Sequence, residues 1–146
     1  MSRNNDEIRN LLFTYAARMD AGDFSGVADL FTDATYRGGG ATFRGAGPLR
    51  EVLAATVVLY DGVPRTKHLT TNVIVDVDAS EETAQARSYF TVLQALEDFP
   101  LQTIVAGRYE DRLVRSNGTW RFDDRLVLME LFGDLSHHLR IDPIRT

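Results

Sequence analysis

The sequence predicts an α+β domain in which N-terminal helices pack on one strongly curved antiparallel sheet. Apolar residues recur at helical spacing up to about residue 60, and from residue 66 the spacing changes to the alternation of β-strands. The predicted strands are long and their connections short, which is typical of an antiparallel meander. Helices followed by strands favour a sheet with one face covered, so we expect a cavity between the helices and the concave face of the sheet.

Two helices are predicted before residue 32. Asn4 followed by Glu7 matches a capping box at the start of the first helix, and Gly22 is a typical stop at its end. Asp23 is placed to cap the second, shorter helix. Their apolar stripes comprise Ile8, Leu11, Leu12, Tyr15 and Met19 in the first helix, and Phe24, Val27, Ala28 and Phe31 in the second.

A hairpin and a third helix follow. Glycines at 38–40 separate two short strands, 34–37 and 41–44, and this arrangement predicts a hairpin. Pro48 fits the first turn of the third helix, which we expect to end at the turn residues 61–64. The inward face of that helix is predicted to comprise Leu49, Val52, Leu53, Thr56 and either Leu59 or Tyr60.

Four strands are predicted at 66–78, 83–96, 101–116 and 119–131, with turn residues between them. In the last strand Trp120 and Phe122 share one face, which we expect to pack the sheet. Arg125 falls on the opposite face by alternation. It is a pocket cation if that face is concave, but a surface ion pair is the expected role for it.

The 146 residues, 44% of them hydrophobic, are predicted to form a single domain, residues 1–146. Its core covers about 4–131, and 132–146 is a tail that serves as a lid over the cavity or as a dimer contact. Leu131, Leu135 and Leu139 have the spacing of a short helical lid. The strands offer more apolar positions than one cavity uses, so we expect a homodimer through the convex face of the sheet.

Composition excludes several classes of function. The formal net charge is −5 and the Lys and Arg residues are scattered, so no nucleic-acid partner is expected. The absence of cysteine removes disulfides and thiolate chemistry. No apolar run has the length of a membrane span or the pattern of a signal peptide, so we expect a cytoplasmic protein with no membrane partner. His137 and His138 lie side by side without a carboxylate to complete a metal shell, and no metal site is predicted.

One acid/base pair stands out. Asp20 lies at the edge of the first apolar stripe, beside Ala16, so its carboxylate is placed to point inward. His68 is the single histidine outside the tail. An Asp and a His within hydrogen-bond reach of each other form a pair that can deliver one proton to a substrate, or remove one from it, near neutral pH. The structural alternatives are an Asp20 satisfied by backbone N–H groups in a turn and a His68 packed against its strand neighbours.

Five segments of the chain form a recognisable set. They read MDAGDF at 19–24, ADLFTDA at 28–34, TKHLTTN at 66–72, GRYED at 107–111 and NGTWRF at 117–122. Together they resemble the SnoaL-like branch of the nuclear transport factor two-like superfamily. The resemblance covers about residues 4–131 and implies the cone fold. It does not imply one activity, because this superfamily hosts dehydratases, isomerases, cyclases, epoxide hydrolases, dioxygenase β subunits and carriers.

Within the superfamily the functional pattern is most similar to that of scytalone dehydratase. The resemblance implies that Asp20 takes the Asp at the end of helix one, His68 a histidine on the strand after helix three, and Tyr36 a tyrosine on the first strand. Met19 stands where that family has a second tyrosine, and the family's second histidine falls near Leu93 or Gln94. The candidate substrate contacts are Tyr15, Met19, Phe43, Tyr89 and Gln94, and no cofactor is implied.

Two classes of function stay open. The first is a cofactor-independent acid/base enzyme, a lyase or isomerase acting on a hydrophobic cyclic or polyketide-like small molecule, with Tyr36 holding a substrate oxygen. The second is a non-catalytic binding or scaffolding domain, such as one that stabilises a dioxygenase partner, in which Asp20 and His68 are structural. A catalytic site predicts the pair at the floor of an apolar pocket, whereas a scaffold predicts a cone filled by side chains.

Overall fold

The computed structural model describes residues 3–143, which form three helices and one six-stranded sheet. The fold is α+β, as predicted. The order along the chain is α1 (Arg3–Asp20), α2 (Phe24–Asp29), β1 (Thr35–Gly38), β2 (Ala41–Arg44), α3 (Ala46–Thr56), β3 (Thr66–Val77), β4 (Thr83–Leu96), β5 (Phe99–Ser116) and β6 (Thr119–Phe132). None of the helices in this described part is long and apolar enough to cross a membrane.

The sheet has the strand order β2-β1-β6-β5-β4-β3. Strands β3 to β6 pair antiparallel in sequence order, which confirms the predicted meander. The predicted hairpin of β1 and β2 is also present. Strand β1 joins β6 in parallel, with Tyr36 opposite Arg125, and this pairing attaches the hairpin to the meander.

Bulges interrupt three of the long strands. The register shifts between Thr71 and Ile74 in β3, where Asn72 has a φ of 54°, and it also shifts at Ile104 in β5 and at Asp123 in β6. A bulge bends its strand and increases the local twist. At Gly107 a Cβ atom would collide with the Leu128 carbonyl oxygen, so glycine is required there. These interruptions curve the sheet around the helices.

The N-terminal helices form for the predicted reasons, with one correction. The α1 stripe of Ile8, Leu12, Tyr15 and Met19 is buried, and Asp23 caps α2 by accepting a hydrogen bond from Gly26 N at 2.9 Å. The predicted capping box at Asn4 and Glu7 is wrong, because Asn4 lies inside the helix. Its side chain accepts from Trp120 Nε1 at 3.1 Å and donates to Glu81 Oε1 at 2.9 Å, which attaches α1 to the sheet.

Helix α3 is shorter than predicted. It ends at Thr56, and the next residue, Val57, has an extended backbone that pairs with Leu139 of the tail. Leu49 and Leu53 are buried as expected, whereas Leu59 is exposed. The tail pairs with the extended segment after Thr56, where the helix was expected to continue.

The tail does not form the predicted helix. Leu131 lies in β6 and is 70% exposed, so it cannot belong to a lid. The tail instead runs along the segment after α3 through two backbone hydrogen bonds of 2.8 Å. One extends from Val58 N to His138 O and the other from Arg140 N to Thr56 O. This pairing brings Leu135 and Leu139 to the mouth of the cone.

The convex face of the sheet carries exposed apolar side chains. Leu69, Ile74, Tyr89 and Leu131 are each at least 44% exposed. Leu69 and Leu131 belong to one row across the four strands of the meander, since Leu69 pairs with Thr91, Thr91 with Ala106 and Ala106 with Leu131. A convex-face homodimer would bury these side chains, and the homodimer stays a prediction.

Candidate active site

A pocket of about 230 Å³ lies between the helices and the concave face of the sheet. Its wall is mainly apolar and includes Met19, Phe43, Leu53, Phe90, Val105, Val127 and Leu135. The polar exceptions are Tyr15, Tyr36, Thr56, His68, Tyr109 and His138. This volume is below the range of about 300–1,000 Å³ typical of drug-sized ligands, so the pocket suits a molecule of one or two rings.

His68 is the strand histidine of this pocket and is held by Asp20. Its Nδ1 lies 2.6 Å from Asp20 Oδ1, and its backbone N–H donates to Asp20 Oδ2 at 2.8 Å. Thr66 Oγ1 donates to the same carboxylate at 2.8 Å. Because an ionised carboxylate accepts hydrogen bonds only, Nδ1 carries the proton of this contact. Nε2 is then the nitrogen free to exchange a proton with a molecule in the pocket.

Asp20 itself lies behind His68. It lines a groove on the outer side of α1 with Phe13 and Lys67, and it is not part of the pocket wall. Burial by itself raises the pKa of Asp20, but the hydrogen bonds from His68 and Thr66 lower this pKa by more, so it is below its ordinary value. The carboxylate is therefore ionised at neutral pH and orients His68. This corrects the expectation that both groups reach the pocket floor.

Two tyrosines form a second polar element of the wall. The hydroxyl oxygens of Tyr15 and Tyr36 lie 2.9 Å apart, within hydrogen-bond distance. Burial raises the pKa of both phenols, which keeps them protonated. Since one O–H donates to the other oxygen, the second O–H has its hydrogen available for a substrate oxygen.

A buried ion pair lies beneath the tyrosines. Arg125 donates to Asp111 from Nε at 2.8 Å and from Nη2 at 2.9 Å, and neither side chain is exposed. The guanidinium carbon lies 3.7 Å from the ring centroid of Tyr109 and 4.3 Å from that of Tyr15. The expected surface ion pair of Arg125 is therefore wrong. The bulge at Asp123 turns the side chain to the buried face.

The tail contributes a second histidine. His138 is 5% exposed, lines the pocket and lies 6.3 Å from His68 between ring centroids. Its Nδ1 is buried without a hydrogen-bond partner among the described residues. Burial and, to a smaller extent, the nearby His68 together lower the pKa of His138 to about 4, against the opposite effect of Asp20.

Three of the five candidate substrate contacts line the pocket, and two do not. Tyr15, Met19 and Phe43 belong to the wall. Tyr89 is 54% exposed because it alternates to the convex face, so its prediction is wrong. Gln94 is also wrong as a pocket residue. It is buried behind the tail, where Nε2 donates to Pro64 O at 3.1 Å and to His137 O at 3.2 Å.

The sequence reasoning missed two features of this site. From the sequence His138 is a tail residue only, because no local pattern shows that the tail returns to α3. Asp111 and Arg125 come together because the bulge places them opposite one another across β5 and β6. Among residues 3–143, no cluster of three or more His, Asp or Glu side chains is arranged to hold a metal ion.

Comparison with known proteins places the chain among small cone-shaped domains. A family model described as a SnoaL-like domain matches residues 2–125. A point variant of Rv3472, a protein of unknown function from Mycobacterium tuberculosis, is 29% identical. The match covers 85% of this chain and 70% of that one, with a TM-score of 0.71. Among curated proteins, none matches.

Two further solved structures show the same fold at lower identity. One, from Novosphingobium aromaticivorans, is provisionally assigned as a scytalone dehydratase. It is 22% identical, with 92% of this chain and 91% of that one covered and a TM-score of 0.71. The other is ActVI-ORFA from Streptomyces coelicolor, which is 19% identical, with 86% and 97% covered and a TM-score of 0.72.

Proposed function

This chain belongs to the SnoaL-like domain family, and on that premise we propose that it is a cofactor-independent acid/base enzyme of the lyase or isomerase type. The family includes cyclases, dehydratases and isomerases that work without a cofactor. The proposed substrate is a small, mainly apolar cyclic ketone. The observation on which the proposal depends is the contact of 2.6 Å between His68 Nδ1 and Asp20 Oδ1 at the wall of the pocket.

The Asp20–His68 contact gives His68 a defined role. Asp20 fixes the proton on Nδ1, so Nε2 carries the lone pair that serves as a general base. When Nε2 takes a proton, the ring becomes cationic and the Asp20 carboxylate stabilises that charge. Asp20 acts through His68 and is thus a positioning residue, while His68 is the catalytic residue.

The proposed reaction begins with proton abstraction next to a carbonyl group. The proton moves from the α-carbon to His68 Nε2, and the electron pair of the C–H bond becomes the C=C bond of an enolate. In a ketone with a β,γ double bond the enolate is conjugated, and return of the proton to the γ-carbon gives the α,β-unsaturated isomer. Transfer of the proton to a β-hydroxyl group releases water with the electron pair of the C–O bond and leaves a conjugated enone.

The tyrosine pair is suited to the enolate oxygen. One O–H of Tyr15 and Tyr36 is available for a substrate oxygen, and both phenols stay neutral because burial raises the pKa of each. A donor that is already oriented stabilises the negative charge as it develops, which is how oxyanion sites accelerate such steps. The apolar wall around the pair strengthens this interaction by excluding water.

Deuterium exchange tests the proposal without knowledge of the true substrate. Tetralone, a bicyclic ketone with an enolisable carbon, is incubated with the protein in D₂O, and incorporation at the α-carbon is followed by NMR. We expect exchange above the buffer rate, and His68→Gln and Asp20→Asn should each lower it by about 10²- to 10⁴-fold.

Asp23→Asn is the matched control. It replaces a carboxylate three residues from Asp20 with a residue that also caps helices, so exchange should equal that of the wild type. Exchange no faster than buffer for tetralone and its ring-substituted analogues would contradict the proposal. Wild-type exchange in His68→Gln would contradict the assignment of the base.

A further inference from the structure

The charge of Arg125 is compensated on one side of its guanidinium only. Asp111 accepts from Nε at 2.8 Å and from Nη2 at 2.9 Å. The third nitrogen, Nη1, is buried and has no hydrogen-bond partner among the described residues. The guanidinium carbon lies over aromatic rings, 3.7 Å from the ring centroid of Tyr109 and 4.3 Å from that of Tyr15. A buried cation is therefore in contact with a tyrosine whose hydroxyl group belongs to the pocket.

The cation acts unequally on the two hydrogen-bonded phenols. Burial raises the pKa of Tyr15, and the Arg125 charge is the strongest effect that opposes this rise. Burial and the neighbouring Tyr15 raise the pKa of Tyr36 well above its ordinary value, and Arg125 has a smaller effect on it than either. Tyr15 is thus the more acidic phenol of the pair, which makes its O–H the stronger hydrogen-bond donor.

The difference in acidity gives a direction to the hydrogen bond of 2.9 Å between the two hydroxyl groups. Tyr36, the less acidic phenol, donates to Tyr15 Oη. The O–H of Tyr15 then remains for an oxygen atom of a molecule in the pocket, which both residues line. Hydrogen bonds in such a chain polarise one another, so the bond from Tyr36 strengthens the one that Tyr15 donates.

We propose that Arg125 is a positioning residue for the enolate: its charge, held beneath Tyr15 by Asp111, makes Tyr15 the phenol that donates to the substrate oxygen. This rests on the proposed function and identifies the donor within its tyrosine pair. Arg125 is not part of the pocket wall, so it acts through Tyr15 and does not touch the substrate. The Asp111 charge opposes the effect of Arg125 on the pKa of Tyr15 but is weaker there.

A double-mutant cycle between the ion pair and Tyr15 tests this role in the tetralone exchange assay. The ion pair is removed as Asp111→Leu/Arg125→Met, which leaves no buried charge unpaired. Its removal should lower exchange by about 5- to 20-fold in a protein that keeps Tyr15. In Tyr15→Phe, which is itself slower, removal of the ion pair should have no further effect, because the hydroxyl group through which Arg125 acts is absent.

Binding of 1-naphthol gives a readout that a merely structural role of Arg125 would not change. This phenol has the two-ring outline and the oxygen position of tetralone, and its absorbance distinguishes the ionised form from the neutral one. At one alkaline pH, the ratio of ionised to neutral bound naphthol should be about 10-fold lower in Asp111→Leu/Arg125→Met than in the wild type.

Asp111→Asn should change the naphthol ratio in the opposite direction. The amide oxygen still accepts a hydrogen bond from Arg125, but the cation now acts without an opposing negative charge, so the ionised fraction should rise. General disruption of the site does not increase binding of the ionised form. This variant also decides the question if Asp111→Leu/Arg125→Met does not fold.

Arg37→Met/Asp124→Leu is the matched control. Arg37 donates to Asp124 Oδ1 from Nε at 3.2 Å and from Nη2 at 2.9 Å, and this ion pair links β1 to β6, the strands of Tyr36 and Arg125. Its removal leaves the cation beneath Tyr15 in place. Tetralone exchange and the naphthol ratio should therefore both equal those of the wild type.

The outcomes separate this inference from the proposed function. An unchanged naphthol ratio in both Asp111 variants, or a loss of exchange that persists fully in Tyr15→Phe, overturns the role of Arg125 alone. If the wild type binds naphthol but does not exchange tetralone or its analogues, the proposed function is contradicted and the naphthol ratios still decide the effect of the cation. Absence of both exchange and naphthol binding contradicts both proposals.

Discussion

Two pairs of one aspartate with one basic side chain occur at this site, His68–Asp20 and Arg125–Asp111, and they differ in solvent access and in the basic group. The side chains of His68 and Asp20 are 7% and 14% exposed, whereas those of Arg125 and Asp111 are both 0% exposed. The first pair contains an imidazole, whose charge changes between pH 5 and 8 when unperturbed. The second contains a guanidinium, which stays protonated in proteins.

The difference shows that a contact between an aspartate and a basic side chain can either stabilise the fold or prepare a group for proton transfer. Burial by itself lowers the pKa of Arg125, but the Asp111 carboxylate and the tyrosines raise it by more, so its charge is permanent. A permanent bidentate pair fixes β5 against β6 and supports the rings of Tyr15 and Tyr109. The imidazole ring of His68 contacts Asp20 through Nδ1 alone, which leaves Nε2 able to move a proton.

The largest predicted effect is on deuterium exchange, in a double-mutant cycle of Asp20 and His68. Asp20→Asn and His68→Gln each remove the same proton-transfer unit, so the double variant should exchange deuterium scarcely more slowly than either single variant. The expected loss stays about 10²- to 10⁴-fold in all three. Losses that multiply in the double variant would show that the two residues act independently, and melting curves of the three proteins check that each is folded.

Removal of one partner of the Arg125–Asp111 pair should lower the free energy of unfolding. Arg125→Met leaves Asp111 as an uncompensated buried charge, and removal of one partner of such a pair costs about 3–5 kcal/mol. The double variant Asp111→Leu/Arg125→Met removes both charges and should recover most of that loss. Urea unfolding measures the free energies. A single variant that unfolds like the wild type would show that the pair is not a structural requirement.

The fold could be predicted from the sequence because its signals are local. Helix α1 has a clear apolar stripe, and the strands of the meander begin and end within a few residues of the alternation boundaries. The faces of the strands could not be predicted, because each bulge adds one residue and inverts the alternation beyond it. Arg125 illustrates this. Its guanidinium carbon lies 4.9 Å from the ring centroid of Phe122, although uninterrupted alternation predicts that the two residues face opposite sides of the sheet.

Site residues could be predicted from the sequence only where the pattern of a single helix or the rarity of a residue type indicates them. The phase of α1 places Asp20 at the edge of the stripe, and the scarcity of histidines singles out His68. Neither signal indicates that Asp20 stays behind His68. The tail reaches the pocket through backbone hydrogen bonds to the end of α3, which leave no mark on side-chain spacing. For that reason His138 is visible as a pocket residue only in the folded chain.

His138 is a buried histidine that, unlike His68, has no carboxylate contact. Its lowered pKa predicts a loss of stability in acid. Its folded pKa of about 4 lies below the ordinary value of 6.5, so the unfolded chain binds more protons between these two values. The contribution of His138 is complete above pH 6.5 and declines as the pH falls toward 4, by at most about 3 kcal/mol.

The pKa of Asp20 is lowered from 3.8, so its own contribution disappears only below this window. His138→Phe should therefore flatten the stability profile between pH 6.5 and 4, whereas Asp20→Asn should leave most of that slope in place. Urea unfolding at half-unit pH intervals measures both profiles against the wild type. If His138→Phe loses stability as steeply as the wild type across this window, then His138 takes up its proton in the folded state as readily as in the unfolded chain, and burial does not lower its pKa.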